Sequence, residues 1–497
     1  MTMKQNLLRH TLLAAVVVCL GISFASAQYA EDVLRFSQLG LASGARSLGM
    51  GTAAVGVAED YSALFWNPAG LAQLRNYEFT AGLSFLNYSN STKFLGVKKE
   101  AGNSVLNLNN LGIVYPVPTS RGSLTFAFGF NRVSNYSTQT EFSGFNASSS
   151  IVPSLIPDVD LMSLSASNRQ DYLDNNIPYQ LFLADTLNGR FVTSIFDSVQ
   201  QSATIREGGG VNHWSFGGAI DVARDLSLGA TVSLVTGSYT YDREFRENDT
   251  RNVYQKAPSD TYGLFDQFSY VNTIKSDLTG FNALFGLMYR KQGKFRIGFT
   301  VRTPTYYTVK EKYSDEGQSR FDPNLNGVVD EFDIAFDGST EYSIITPSVL
   351  SLGASYQFRD LVVLSGDVEY TDWRDMKFET PNSSLEAENR LIQKIYRATI
   401  NLRGGVEVTL WDLGIKLRGG VVVKPSAYEG DPSTFDQRYY TAGIGLELDK
   451  NTWLNAGYAF GQWKTFSDNY YYGNATQSRT DESIKTQNLI VSLSFQF

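Results

Sequence analysis

From Tyr77 to Phe497 the chain runs as segments of about ten to fourteen residues in which apolar residues alternate with small or polar ones. Leu124, Phe126, Phe128 and Phe130 share one face, with Thr125, Ala127 and Gly129 on the other. Leu489, Val491, Leu493, Phe495 and Phe497 repeat the pattern at the end. Alternation alone also fits a soluble sandwich; the connections separate the two. Every second one is short: Val117 to Gly122, Arg224-Asp225, Lys291 to Lys294, Arg359-Asp360, Trp411-Asp412 and Asp449 to Asn451. Those between are long, near 90–104, 136–211, 241–278, 308–343, 374–395, 425–437 and 464–485. A sandwich has no reason to keep its long loops at one end. A transmembrane barrel does, with short periplasmic turns and long outer loops. The expected fold is all-β: a transmembrane antiparallel β-barrel of about 14 strands over 77–497.

The first 27 residues read as a secretory signal peptide: Lys4 and Arg9, an apolar run from Leu12 to Phe24, then Ala25-Ser26-Ala27. The run is too short to cross a bilayer as a helix. The only cysteine, Cys19, leaves with this leader, and so does His10. Thiolate catalysis, disulfides and Cys-ligated zinc are thereby excluded from the mature chain. His213 remains as the single imidazole, with no Gly-x-Ser-x-Gly elbow, so no enzyme is expected. At the start of a strand, it reads as a surface or rim residue. The net charge of −8 becomes about −10 without Lys4 and Arg9, and no basic stripe is present to bind nucleic acid.

Between leader and barrel, Leu41 to Arg75 is rich in Gly and Ala and does not alternate. Asp60 to Phe65 reads as a short helix, punctuated by Pro68 and Gly70. Small residues permit close approach and sharp bends, so residues 28–76 are expected to be a small, bent, helical hatch plugging the lumen. GARSLGMGTAAVGVAEDYSALFWNPAGLA resembles the N-terminal hatch of the FadL/TodX family of outer-membrane transporters of hydrophobic compounds. The likeness lies in the Gly/Ala-rich run, Glu59-Asp60, the short helix, Trp66 and Asn67-Pro68-Ala69-Gly70. It implies fourteen strands and a moving hatch that includes Gly49, Gly51, Asn67, Pro68 and Gly70.

The 136–211 loop holds much apolar material, costly to leave in water. Leu155, Leu161, Met162, Leu164, Leu181, Phe182, Phe191 and Phe196 form either a self-packed cap or an apolar ligand groove, and the resemblance favours the groove. In Asp322-Pro-Asn324-Leu-Asn326-Gly327-Val328-Val329-Asp330-Glu-Phe-Asp333, oxygen-bearing side chains fall at positions 1, 3, 5, 9 and 12, with Gly at 6 and the Val328 carbonyl at 7. That spacing suits a structural calcium loop. Polar residues in spanning strands face the interior. Asp221, Arg302, Asp367, Glu369, Arg403, Glu407, Lys416 and Arg418 should therefore line the lumen, bracing the hatch or orienting a carboxylate head group.

The expected function is passive transport of hydrophobic molecules, long-chain fatty acids or hydrocarbons, across the outer membrane of a Gram-negative bacterium, with outer-membrane lipid and lipopolysaccharide around the barrel. No cofactor is required for transport. The alternative is a FadL-like barrel acting in protein secretion or assembly.

Overall fold

The computed structural model describes residues 30–497, apart from 42, 255–263, 292–293, 324–326, 380–382 and 472–474. The proposed leader therefore lies outside the described residues. The first strands are β1 (Glu78–Phe94), β2 (Val97–Val117), β3 (Leu124–Asn135) and β4 (Thr138–Asn146). An outer hairpin, β5 (Asp185–Leu187) and β6 (Arg190–Val192), precedes β7 (Val199–Ala223), β8 (Leu226–Asn248), β9 (Phe265–Lys291) and β10 (Phe295–Arg302). Next come β11 (Tyr306–Phe321), β12 (Glu331–Ile345), β13 (Val349–Phe358), β14 (Val362–Asp372) and β15 (Lys377–Phe378). The chain ends with β16 (Ala398–Leu410), β17 (Ile415–Lys424), β18 (Gln437–Asp449), β19 (Thr452–Asp468) and β20 (Arg479–Gln496).

Antiparallel pairing runs β1-β2-β3-β7-β8-β9-β10-β13-β14-β16-β17-β18-β19-β20 and returns from β20 to β1, a closed ring of 14 strands. Closure joins the last strand to the first, which is how a β-protein pairs its backbone groups within a bilayer. The outward face is apolar, with Phe79, Leu83, Ile113, Phe128, Phe216, Val232 and Phe285 all exposed. Tyr77, Tyr115 and Phe497 cluster near the periplasmic end, with ring centroids 5.1 and 5.5 Å from Tyr77. Amphipathic rings of this kind belong at a membrane–water interface.

The long connections hold more strand than their sequence suggests. The 90–104 stretch is a hairpin turning at Leu95-Gly96, both with positive φ. Most of 308–343 is the β11–β12 hairpin. β9 has 27 residues and β7 has 25, whereas a spanning strand needs about 9–11. Beyond the bilayer both faces meet water or protein, so backbone pairing continues while the apolar alternation fades. One side of the barrel thus stands tall above the membrane; the other, at β14 to β18, stops low. There the amphipathic helix Ser383–Ile395 packs inward through Leu385 and Ile392.

Candidate transport pathway and hatch

The hatch is built from α1 (Ala30–Ser37), α2 (Ala45–Gly49), α3 (Ala63–Trp66) and a 3₁₀ turn at Pro68–Gln73. Asn67 organises the last part. Its side-chain oxygen accepts from Ala69 N–H at 3.1 Å, capping the turn that Pro68 begins. Its amide donates to Val55 O at 2.9 Å and to Leu287 O, in the wall, at 3.2 Å. Gly51 has φ +62°, and a Cβ there would fall 2.5 Å from Gly404 O. At Gly70 a Cβ would fall 2.3 Å from Ala58 O.

The wall meets the hatch with glycines of its own. A Cβ at Gly229, Gly286, Gly298, Gly405, Gly420 or Gly457 would come within 2.1–2.4 Å of a hatch atom, in most cases backbone. These glycines, one each from β8, β9, β10, β16, β17 and β19, form a belt against which the hatch backbone rests. Charge secures the same level. Arg46 donates to both oxygens of Glu407 at 3.0 Å and to Glu59 at 2.8 Å. Arg296 reaches Glu59 at 2.7 Å and Arg418 reaches Glu407 at 2.6 Å. Asp367 accepts from Val55 N–H at 2.8 Å. These lumen charges therefore brace the hatch, while Asp221 ties Arg290 and Ser123 at the periplasmic end.

Beside the hatch lies a cavity of about 70 Å³. Phe65, Trp66, Leu284 and Val349 give it apolar surface, and Arg302, Arg403, Lys424 and Glu369 give it charge. Arg403 pairs with Glu369 at 2.7 Å, and its Nη1 is buried without a partner. Arg302 donates to Phe65 O at 2.9 Å, and Lys424 to Leu39 O at 2.9 Å. Three cations thus face one carboxylate. Lys424 was not among the lumen charges the sequence singled out.

The wall is interrupted next to the hatch. Pairing of β2 with β3 stops at Asn110↔Asn131, and residues 97–108 of β2 pair with β1 alone. β3 then turns inward, and β4 lies against the inner face of β1, where Thr92 Oγ1 donates to Glu141 O at 2.6 Å. The hatch satisfies the groups this break releases. Gly40 N–H donates to Val133 O at 2.7 Å, Ser134 to Gln38 O at 2.8 Å, and Gly44 N–H to Asn109 at 3.1 Å. Tyr61 hydroxyl is shared among Leu111 O, Phe130 O and Asn131. The sequence signal for the break was Ser134-Asn135-Tyr136-Ser137, a polar run inside a strand.

The apolar residues of the 136–211 loop divide. Leu161, Leu181 and Phe191 are buried, and Leu155 packs on the outer apolar cluster. Leu164 is half-buried, whereas Met162, Phe182 and Phe196 are exposed. Self-packed cap and open apolar surface are thus both present. His213 corrects its expectation: it is 1 % exposed, inside the wall near Phe65, because its strand alternation points it inward. In the calcium-like loop, Asn324 and Asn326 lie outside the described residues. Gly327 has φ +77°, Val328 is exposed, and one carboxyl oxygen of Asp330 is buried without a partner. Asp322 N–H bonds to Leu264 O, and Asp333 stands on the exposed face of β12. Among the described residues no three acidic, His or Cys side chains gather as a metal site.

Residues 211–497 match the family model for the outer membrane protein transport protein family, OMPP1/FadL/TodX. The chain belongs to the FadL/TodX family. Its barrel resembles the Pseudomonas putida toluene transporter TodX at 16 % identity and TM-score 0.52, covering 91 % of this chain and 97 % of that one. A Pseudomonas aeruginosa FadL homologue gives 13 %, 0.54, 93 % and 99 %. The Ralstonia pickettii toluene transporter TbuX gives 17 %, 0.51, 91 % and 98 %. No curated protein sequence matches. The FadL/TodX assignment makes this an outer-membrane channel for hydrophobic compounds in a Gram-negative bacterium and lends nothing to the secretion alternative.

Proposed function

We propose that this FadL/TodX barrel passively carries long-chain fatty acids, rather than uncharged hydrocarbons, from the cell surface into the membrane. The observation that supports this reading is the cavity in which Arg302, Arg403 and Lys424 face Glu369 beside the hatch rings Phe65 and Trp66. Cation surplus next to aromatic surface suits a carboxylate with an apolar tail. At about 70 Å³ the cavity is smaller than the roughly 150 Å³ that holds benzene, so passage requires the hatch to shift. A ligand drives that shift only by binding the shifted state more tightly. Exit at the break between β2 and β3 is supported by Gln38, Gly40, Ser43 and Gly44 of the hatch, which bond across it. The exposed Met162, Phe182 and Phe196 are proposed to receive the ligand outside, and lipopolysaccharide and lipid to surround the wall.

The test is uptake of a labelled long-chain fatty acid by cells with and without the chain, with a labelled alkane and a small sugar alongside. Faster fatty-acid entry, unchanged sugar entry and loss of the effect in Arg403→Gln support the reading. Faster alkane entry alone removes the carboxylate from it. A structural calcium in the 322–333 loop is also proposed, on its spacing and on the Gly327 turn. A melting temperature that calcium and chelator leave unchanged, in wild type and Asp322→Ala alike, counts against it.

A further inference from the structure

A second, smaller chamber of about 30 Å³ lies at the seam between the hatch and the start of the barrel. A water needs roughly 10–15 Å³, so the chamber admits about two or three occupants of that size. Asp60 borders it from the hatch; Glu78, Thr80, Asn110, Asn455 and Ser494 border it from the wall. Glu78 is 2 % exposed, and among the described residues it has no salt bridge within 4.0 Å. One of its oxygens accepts from Tyr61 N–H at 3.3 Å, and Oε2 has no partner. Asn110, also 2 % exposed, turns its amide nitrogen to Thr80 Oγ1 at 3.4 Å and leaves Oδ1 without a partner. Arg46 is the cation that borders the chamber. It stands 3.8 Å from Asp60 and makes its shorter contacts with Glu407 and Glu59.

The chamber is therefore lined by two buried residues, Glu78 and Asn110, each with an acceptor oxygen that has no partner. Leaving such groups unpaired is costly. Carboxylates, an amide carbonyl and hydroxyls are the donor set of a hard cation. We propose that this chamber binds a calcium ion, which joins Asp60 of the hatch to Glu78 and Asn110 of the wall. This site is separate from the outer loop and independent of which molecule the channel carries. A bound ion would make the seating of the hatch depend on divalent cation.

The test uses the purified full chain in detergent, in an Asp322→Ala/Asp330→Ala background that removes the outer loop from the readout. Terbium serves as the calcium stand-in, read by emission sensitised from protein aromatics, and melting is followed with calcium or chelator. The expected result is one saturable terbium per chain, displaced by calcium, together with a calcium-dependent rise in melting temperature. Glu78→Gln loses both. Absence of saturable emission in that background, or its retention in Glu78→Gln, overturns the proposal in favour of a water or a proton between the two oxygens. If Glu78→Gln does not fold, Asn110→Leu decides by the same readouts: loss supports the site, retention overturns it. A lower melting temperature without calcium dependence in the parent also overturns it.

Discussion

Asn67 is fully buried and spends both ends of its amide on three backbone groups, two in the hatch and one in the wall. Truncation strands the carbonyls of Val55 and Leu287 in a site closed to water. Asn67→Ala should therefore lower stability by about 1–3 kcal/mol, measured by denaturant unfolding in detergent. Asn67→Asp keeps the oxygen cap but loses the donors, so it should cost a comparable amount. The Asn-Pro-Ala-Gly run was legible in the sequence because each residue type has its own turn chemistry. The glycine belt opposite it was not. A strand glycine facing a lipid, a bulge or a hatch looks the same in sequence, and only the three-dimensional register assigns the neighbour.

The instructive element is β3 with its continuation β4. Its lower half obeyed the alternation and was placed by it. The inward turn at 133–137 escaped notice, because the residues that stabilise it, Gln38, Gly40 and Ser43, lie about a hundred positions away. Ser43 Oγ and Asn131 Oδ1 are 2.5 Å apart across this break. A Ser43→Cys/Asn131→Cys pair, made with Cys19 replaced by serine, should fasten the hatch to the wall. Uptake is expected to stop under oxidation and to return on reduction, with single mutants unaffected by either treatment. A second element-scale prediction concerns the outer cap. There Glu247 accepts from Ser150 at 2.6 Å and from Ile151 N–H and Gln201 at 2.7 Å, joining β8 to the loop that follows β4. Burial pushes its carboxyl from 4.5 up to about 7. The neutral form is thus favoured in the folded cap. This contribution is full below about pH 4.5 and is lost as pH rises through about 7. Protection factors for hydrogen exchange in residues 147–200, taken relative to intrinsic rates, should fall over that interval, and Glu247→Gln should flatten the fall.

For the whole molecule, strand number, short periplasmic turns and lumen-facing charge all followed from period and connection length, since these depend on local pattern. The height of the wall did not follow, because outside the bilayer no lipid selects apolar side chains. The outward belt itself is open to measurement. Val232 is 60 % exposed and sits six residues above the turn that begins β8. Val232→Lys should cost about 2–4 kcal/mol in lipid vesicles, read from urea unfolding. A lysine at an outward site in the outer half of the same strand, Glu244→Lys, should cost little.

The glycine belt has a consequence for how such a molecule comes into being. The hatch precedes β1 in the chain and sits inside a ring whose seam is the pairing of β1 with β20, and the belt leaves no clearance between ring and contents. A cylinder closed first could receive its hatch only through an open end and past the belt. A ring drawn shut around a hatch already in place avoids that passage. Assembly is therefore expected to seat the hatch before the seam between the first and last strands zips.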